Sequence, residues 1–303
     1  VILNKLPFLS IPYRAKVKLD GTNAAVHVKF NGEVLAQSRE RMITPGKNTD
    51  NFGFATWVKE NEEVFKKLYP VDNKFITKDG LVLDDIVIFG ERCGNGIQNR
   101  CSISKIDKKI FAIFNILYIF KDTSGTKSYS YHYDPLEIRL ILRNCGDIPD
   151  TYIIPWYKDF SVNIDFSKQA EELQLELDKI NQEVLEVEAC DPWVKETFGI
   201  EGLGEGLVLY PMVNDYDLFN SLLFKAKGEK HNTVNQKKPA QVNADVAKSV
   251  DEFVNMVLTE ARLEQGAIEV WKTVPVAVPL LSNELYSTDV KLIGKFLQWI
   301  VKD

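Results

Sequence analysis

Hydrophobic and polar positions alternate weakly over Arg14 to Leu19 and cleanly over Ala24 to Phe30, where Val26, Val28 and Phe30 share one face and His27 and Lys29 the other. A period of two predicts half-buried strands. Asn31-Gly32 follows, a strong hairpin signal, so Glu33 to Ser38 reads as the return strand. From Phe52 to Leu68 the residues Trp57, Val58, Val64, Phe65 and Leu68 fall near helical spacing, which predicts one helix stopped by Pro70. Asp85 to Glu91 and Ile110 to Phe120 are strongly apolar and predict buried strands, the second interrupted by Asn115 and too short to span a bilayer. Arg92 to Lys108 between them is a polar loop holding Gly94 and Gly96.

Further along, Pro135 to Asn144 predicts a helix and Ser167 to Val187 a charged surface helix with few apolar positions. Gly206 to Tyr210 and Leu222 to Ala226 predict two more strands. Lys227 to Val242 is polar, basic and almost free of apolar residues, and we place a domain boundary inside it, dividing 1–233 from 234–303. Beyond it the period is helical: Val246, Val250, Phe253, Val254, Val257 and Leu258 make one stripe, and Leu292, Ile293, Phe296, Leu297 and Ile300 another, with Thr288 or Asp289 as its cap. The expected fold class is α+β: antiparallel sheets with flanking helices, then a small all-α C-terminal domain.

Composition changes this picture little. The 303 residues are 45% hydrophobic and 26% charged, as in a globular protein, and the formal net charge is −6. Nucleic acid, if bound, must meet a local basic surface, since the average field is unfavourable. The cysteines Cys93, Cys101, Cys145 and Cys190 form no Cys-x-x-Cys pair, which argues against structural zinc and suits a reducing, intracellular setting. No signal peptide is visible from Val1 onward, and nothing indicates a membrane.

The chemistry centres on Lys18-Leu19-Asp20-Gly21-Thr22-Asn23, where a strand gives way to a glycine turn. A lysine there is held at the edge of a rigid sheet, and as a neutral amine it is a nucleophile. Gly21 permits close approach of a ligand to the backbone. Alone, the motif fits a solvent lysine before an ordinary Asp-Gly turn. It does not stand alone. Glu91 ends an apolar strand, Glu205 begins one, and Lys225 and Lys227 share one face of a third. Singly these read as solvated strand ends and an edge-strand pair. Together they supply what nucleotidyl transfer needs: a nucleophile, cations for phosphates, and carboxylates for a divalent metal and ribose hydroxyls.

The set resembles the covalent nucleotidyltransferases, and within them ATP-dependent RNA ligases of the phage RNA ligase 2 type. Lys18 to Gly21 resembles the nucleotidyl-lysine motif, and Thr22-Asn23 is closer to RNA than to DNA ligases. Gly90 to Gln98, GERCGNGIQ, is similar to a run of these enzymes, and Phe111 to Ile116, FAIFNI, to their segment ending in Phe-Asp, with Asn115 in the aspartate's place. The resemblance covers roughly Lys16 to Gly228, poorly over Lys121 to Ala189. It implies an ATP-grasp-like nucleotidyltransferase domain with Lys18 as the catalytic, adenylylated residue. Around ATP it places Lys16, Asp20, Gly21, Asn23, Arg39, Glu91, Phe114, Lys225 and Lys227. Glu91 would hold the ribose, Phe114 stack on adenine, and Lys225 and Lys227 meet the α-phosphate. Glu205 would hold Mg²⁺ or Mn²⁺. Arg39 and Asn23 would act in sealing.

The implied substrate is RNA, a nicked duplex or a broken structured RNA, and the enzyme is expected to be a monomer. A capping guanylyltransferase and a DNA ligase are rivals, though both append a β-barrel where the tail here reads as helical. A nucleotide- or RNA-binding module without catalysis is a further alternative. The helical tail either clamps the duplex or caps the catalytic domain. His27, on the polar strand face, is expected to be solvated, and His132 with Tyr129, Tyr131 and Tyr133 to lie in a surface loop.

Overall fold

The computed structural model describes residues 10–69, 77, 80–168 and 170–228, so the helices expected within 234–303 and the boundary before them lie outside the described residues. The described part is α+β and built on two sheets. The first has the strand order β11-β10-β1-β9, from β1 (Ser10–Val17), β9 (Ser161–Asp165), β10 (Gly206–Pro211) and β11 (Phe224–Lys227), all antiparallel. The second runs β4-β3-β2-β5-β6-β7, from β2 (Thr22–Lys29), β3 (Val34–Ser38), β4 (Met42–Ile43), β5 (Val82–Gly94), β6 (Lys109–Lys121) and β7 (Lys127–His132). A short β8 (Thr151–Ile153) joins it in parallel to β6, the one departure from the antiparallel expectation among the described residues.

Alternation dictates what each strand face covers. In β1, Tyr13, Ala15 and Val17 enter a core with Leu207 and Leu209 of β10. Over this core lies α4 (Gln174–Ala189), which contributes Ile180, Val184 and Val187. The charged segment thus buries a narrow stripe and leaves Leu175, Leu177 and Leu185 exposed. A second core joins Ala24, Val26 and Val28 of β2 to Ile86 and Ile88 of β5 and to Phe54, Trp57 and Phe65.

Those aromatics come from two helices, α1 (Phe54–Glu60) and α2 (Glu62–Lys66), where the periodicity predicts one. Phe52 and Gly53 have φ of 51° and 77°, so the helix starts after them, with Asp50 accepting from the amides of Ala55 and Thr56. At Asn61 the side chain donates to the Trp57 carbonyl, competing with the helical backbone and dividing the segment. α3 (Pro135–Leu142) has Asp134 as its N-cap. Two helices that the pattern did not suggest, α5 (Pro192–Phe198) and α6 (Tyr216–Leu222), have Asp191 and Asp215 as side-chain caps. α6 takes Leu222 from the expected last strand, which begins at Phe224.

Two expectations are corrected. His27 is buried, at 8% exposure, because Asp85 and Gln37 bind its two ring nitrogens and satisfy them without water. Tyr129, Tyr131 and His132 belong to β7, paired with β6, and Tyr131 packs on Tyr216 and Phe219.

Candidate active site

β5 and β6 make the longest pairing, and it carries an irregularity that shapes the site. Phe89 pairs with Asn115 and Gly90 with Ile113, so Phe114 is an extra residue in β6. An extra residue re-aims side chains. Before it the odd-numbered Phe111 and Ile113 face the second core; after it the even-numbered Ile116 and Phe120 do. Neighbours Phe114 and Asn115 can therefore both line one cleft, which a regular strand would forbid. Gly90 is required here, since a Cβ would lie 2.4 Å from the Phe111 ring.

The cleft has a volume of about 590 Å³. Lys16, Lys18, Asp20, Gly21, Asn23, Arg39, Glu91, Phe114, Glu205, Lys225 and Lys227, every residue singled out from the sequence, line it. Strand register explains the convergence. Lys16 pairs with Val208 and Val208 with Lys225, while Gly206 pairs with Lys227 and accepts the Lys18 amide at 2.9 Å. On the second sheet Asn23 pairs with Glu91.

One end of the cleft is charged. Lys18 Nζ lies 2.5 Å from Glu205 Oε2, and Lys227 Nζ 2.9 Å from Glu205 Oε1. Burial pushes the Glu205 carboxyl up, but Lys18 and Lys227 outweigh it and hold the group below its ordinary range. Burial pushes the Glu91 carboxyl up to about 7; Lys18, Lys225 and Arg39 pull back and Glu205 adds to the rise. The Lys225 ammonium is lowered by burial and by its neighbours Lys18 and Arg39.

The other end is aromatic. Lys16 is 1% exposed, and its Nζ donates to the carbonyls of Phe114 at 2.7 Å and Tyr133 at 2.6 Å. The rings of Tyr210 and Trp156 stand 4.9 and 5.1 Å from it. Burial pushes this ammonium down to about 7, with Asp134 partly offsetting. Asn115 donates through Nδ2 to the Tyr131 hydroxyl, and its Oδ1 is buried without a partner. Tyr131, read from sequence as part of a surface insertion, thus lines the cleft.

Two motif residues serve the protein's own packing. A Cβ on Gly21 would lie 2.6 Å from the Arg92 carbonyl and 2.8 Å from Cys93 and Glu91 side-chain atoms, so β5 itself demands glycine there. Asp20 is buried and bound at 2.8 Å by Arg100, a cleft residue that sequence reasoning missed although it stands just past the GERCGNGIQ run.

A cleft with cations at one end and rings at the other suits a nucleotide, phosphates beside the lysines and base beside the aromatics. Among the described residues no group of three or more His, Cys, Asp or Glu converges on a metal position. Glu205 is a buried carboxylate whose oxygens both face cations, a donor that fits a hard divalent ion held otherwise by substrate phosphates and water.

A sequence model of the RNA ligase family matches residues 11–227. No curated protein matches the chain significantly. Solved structures of mutants of the Naegleria gruberi RNA ligase are similar to it. One with ATP and Mn is 16% identical, with a TM-score of 0.42 over 73% of this chain and 51% of that one. An apo mutant is 17% identical, with a TM-score of 0.41 over 80% and 52%. One with AMP and Mn is 16% identical, with a TM-score of 0.41 over 73% and 51%. The chain spans about half the length of these solved ligases.

Proposed function

The chain belongs to the RNA ligase family, and we propose that it joins RNA ends through an AMP-lysine formed from ATP on Lys18. The observation that carries this reading is the Lys18–Glu205 pair at the charged end of a cleft whose other end is aromatic. Lys18 Nζ, having lost its proton and left Glu205, attacks the α-phosphorus; the P–N bond forms as the bond to pyrophosphate breaks. Lys18 next gives AMP to the 5′-phosphate of an RNA end. A 3′-hydroxyl then attacks that activated phosphorus, and AMP leaves.

Lys225 and Lys227 neutralise the α-phosphate, Glu91 holds the ribose, and Phe114 stacks on the base. Arg39 and Asn23 act on the RNA ends during sealing. Such chemistry depends on positioning and charge neutralisation. Glu205 would hold Mg²⁺ or Mn²⁺, which neutralises phosphate charge when bound. The substrate in this reading is a nicked duplex or broken structured RNA, handled by a monomer of the phage RNA ligase 2 type inside the cell. The 233/234 domain division belongs to the same proposal. Among the described residues no helix is long and apolar enough to cross a membrane.

The test is covalent labelling from α-labelled ATP or GTP with Mg²⁺, read on a denaturing gel beside Lys18→Ala. Label from ATP alone, absent in the variant, is expected. Label from GTP would make this a capping-type enzyme, and no label from either would leave a binding module.

A further inference from the structure

Lys16 is a buried ammonium to which the sealing steps give no task. It stands two residues before Lys18 on the same strand face, about 7 Å toward the aromatic end. An ammonium has three N–H donors. Two of Lys16's go to the carbonyls of Phe114 and Tyr133; the residue lines the cleft, and its Nζ stands beside the Tyr210 and Trp156 rings. A methionine would fill this place without desolvating a charge, and burying an unneeded charge is costly. Its fall to about 7 reflects that cost. The Phe114 carbonyl it binds belongs to the extra residue of β6, whose ring lines the same end of the cleft. Lys16 is therefore fixed against the group best placed to stack on a base.

We propose that Lys16 donates its remaining N–H to an acceptor nitrogen in the ring of bound adenine, making it a specificity-determining residue for the base. This rests on the reading of ATP as substrate. Lys18 and Lys227 are paired with Glu205, whereas the Lys16 ammonium is bound by carbonyls and flanked by rings, which leaves the phosphates to the former pair.

The experiment measures lysine–AMP formation by the full chain with ATP and with its 1-deaza, 3-deaza and 7-deaza analogues, each lacking one acceptor nitrogen. Lys16→Met and the shorter but still hydrogen-bonding Lys16→Gln are compared, so that one serves if the other fails to fold. With wild type, one analogue is expected to lose about 10- to 100-fold in kcat/KM, chiefly through KM, the size of one charged hydrogen bond. With Lys16→Met, ATP itself falls to that level and the same analogue costs nothing more. Equal use of all three analogues by wild type overturns the proposal, as does a penalty that persists undiminished in both variants. If ATP itself leaves no label on wild type, the ATP reading fails and this one with it.

Discussion

Lys18 Nζ and Glu205 Oε2 lie 2.5 Å apart although 187 positions separate them in the chain. The strand ends of β1 and β10 create the meeting, and Glu205 bridges Lys18 and Lys227 by giving each one oxygen. Glu205→Gln keeps the shape and removes the charge. We expect lysine labelling from ATP to fall by about 100-fold or more, the scale of one electrostatic contact in a reaction centre. Unchanged labelling rates would take Glu205 out of the chemistry.

Gly21→Ala tests whether the motif glycine answers to packing. Its Cβ would press on the Arg92 carbonyl at 2.6 Å. A loss of about 1–3 kcal/mol is expected from overpacking, measured by denaturant midpoint. Gly32→Ala is the control: it meets nothing within 4 Å but has φ of +83°, so it carries backbone strain alone. A loss of about 1 kcal/mol is expected there.

Stability should depend on pH in two opposed ways. The folded Lys16 ammonium sits at about 7, against 10.5 ordinarily. Between those values the unfolded chain holds more protons, so stability rises with pH. Thermal melts should show wild type gaining on Lys16→Met across that range. The folded Glu91 carboxyl sits at about 7, against 4.5 ordinarily. Between those values the folded chain holds more protons, so stability falls as pH rises, and Glu91→Gln should abolish that slope.

Arg100→Ala leaves Asp20 buried without its cation, and Asp20 Oδ2 already lacks a partner. With Arg100 half-exposed, about 1–2 kcal/mol of destabilisation is expected. Asp20→Asn in the Arg100→Ala background should cost less than in wild type, and strict additivity in that cycle would show that the two do not interact.

Much of this was legible because strand chemistry repeats every second residue. Lys16 and Lys18, or Lys225 and Lys227, announce a shared face by spacing alone. The central strands were legible as apolar runs. His27 was misread because alternation tells which face a residue takes and not what covers it; Asp85 and Gln37 are distant in sequence. The split at Asn61 was invisible to apolar periodicity, since a side chain bonding its own backbone leaves no period. α5 and α6 are each one to two turns long, too short for a helical pattern to accumulate. Arg100 escaped because its meaning lies in Asp20, 80 positions earlier.

The extra residue in β6 separates folding from function at a single position. Remove Phe114 from the chain and the odd and even halves of the strand fall into one phase: Phe111, Ile113, Ile116 and Phe120 keep their side, and Asn115 stays opposite Phe89 with Ile113 as its direct neighbour. The pairing with β5 would close more regularly than it does now. A one-residue deletion in the middle of a central strand ordinarily breaks its register, but here it would remove one of the two register shifts between β5 and β6. What vanishes is the ring at the base end of the cleft and the carbonyl that anchors Lys16. The shortened chain should keep the strand pairing but lose the packing of Phe114 on the first core and the anchor of buried Lys16, and bind nucleotide worse, so the pairing itself does not need this residue and the cleft does.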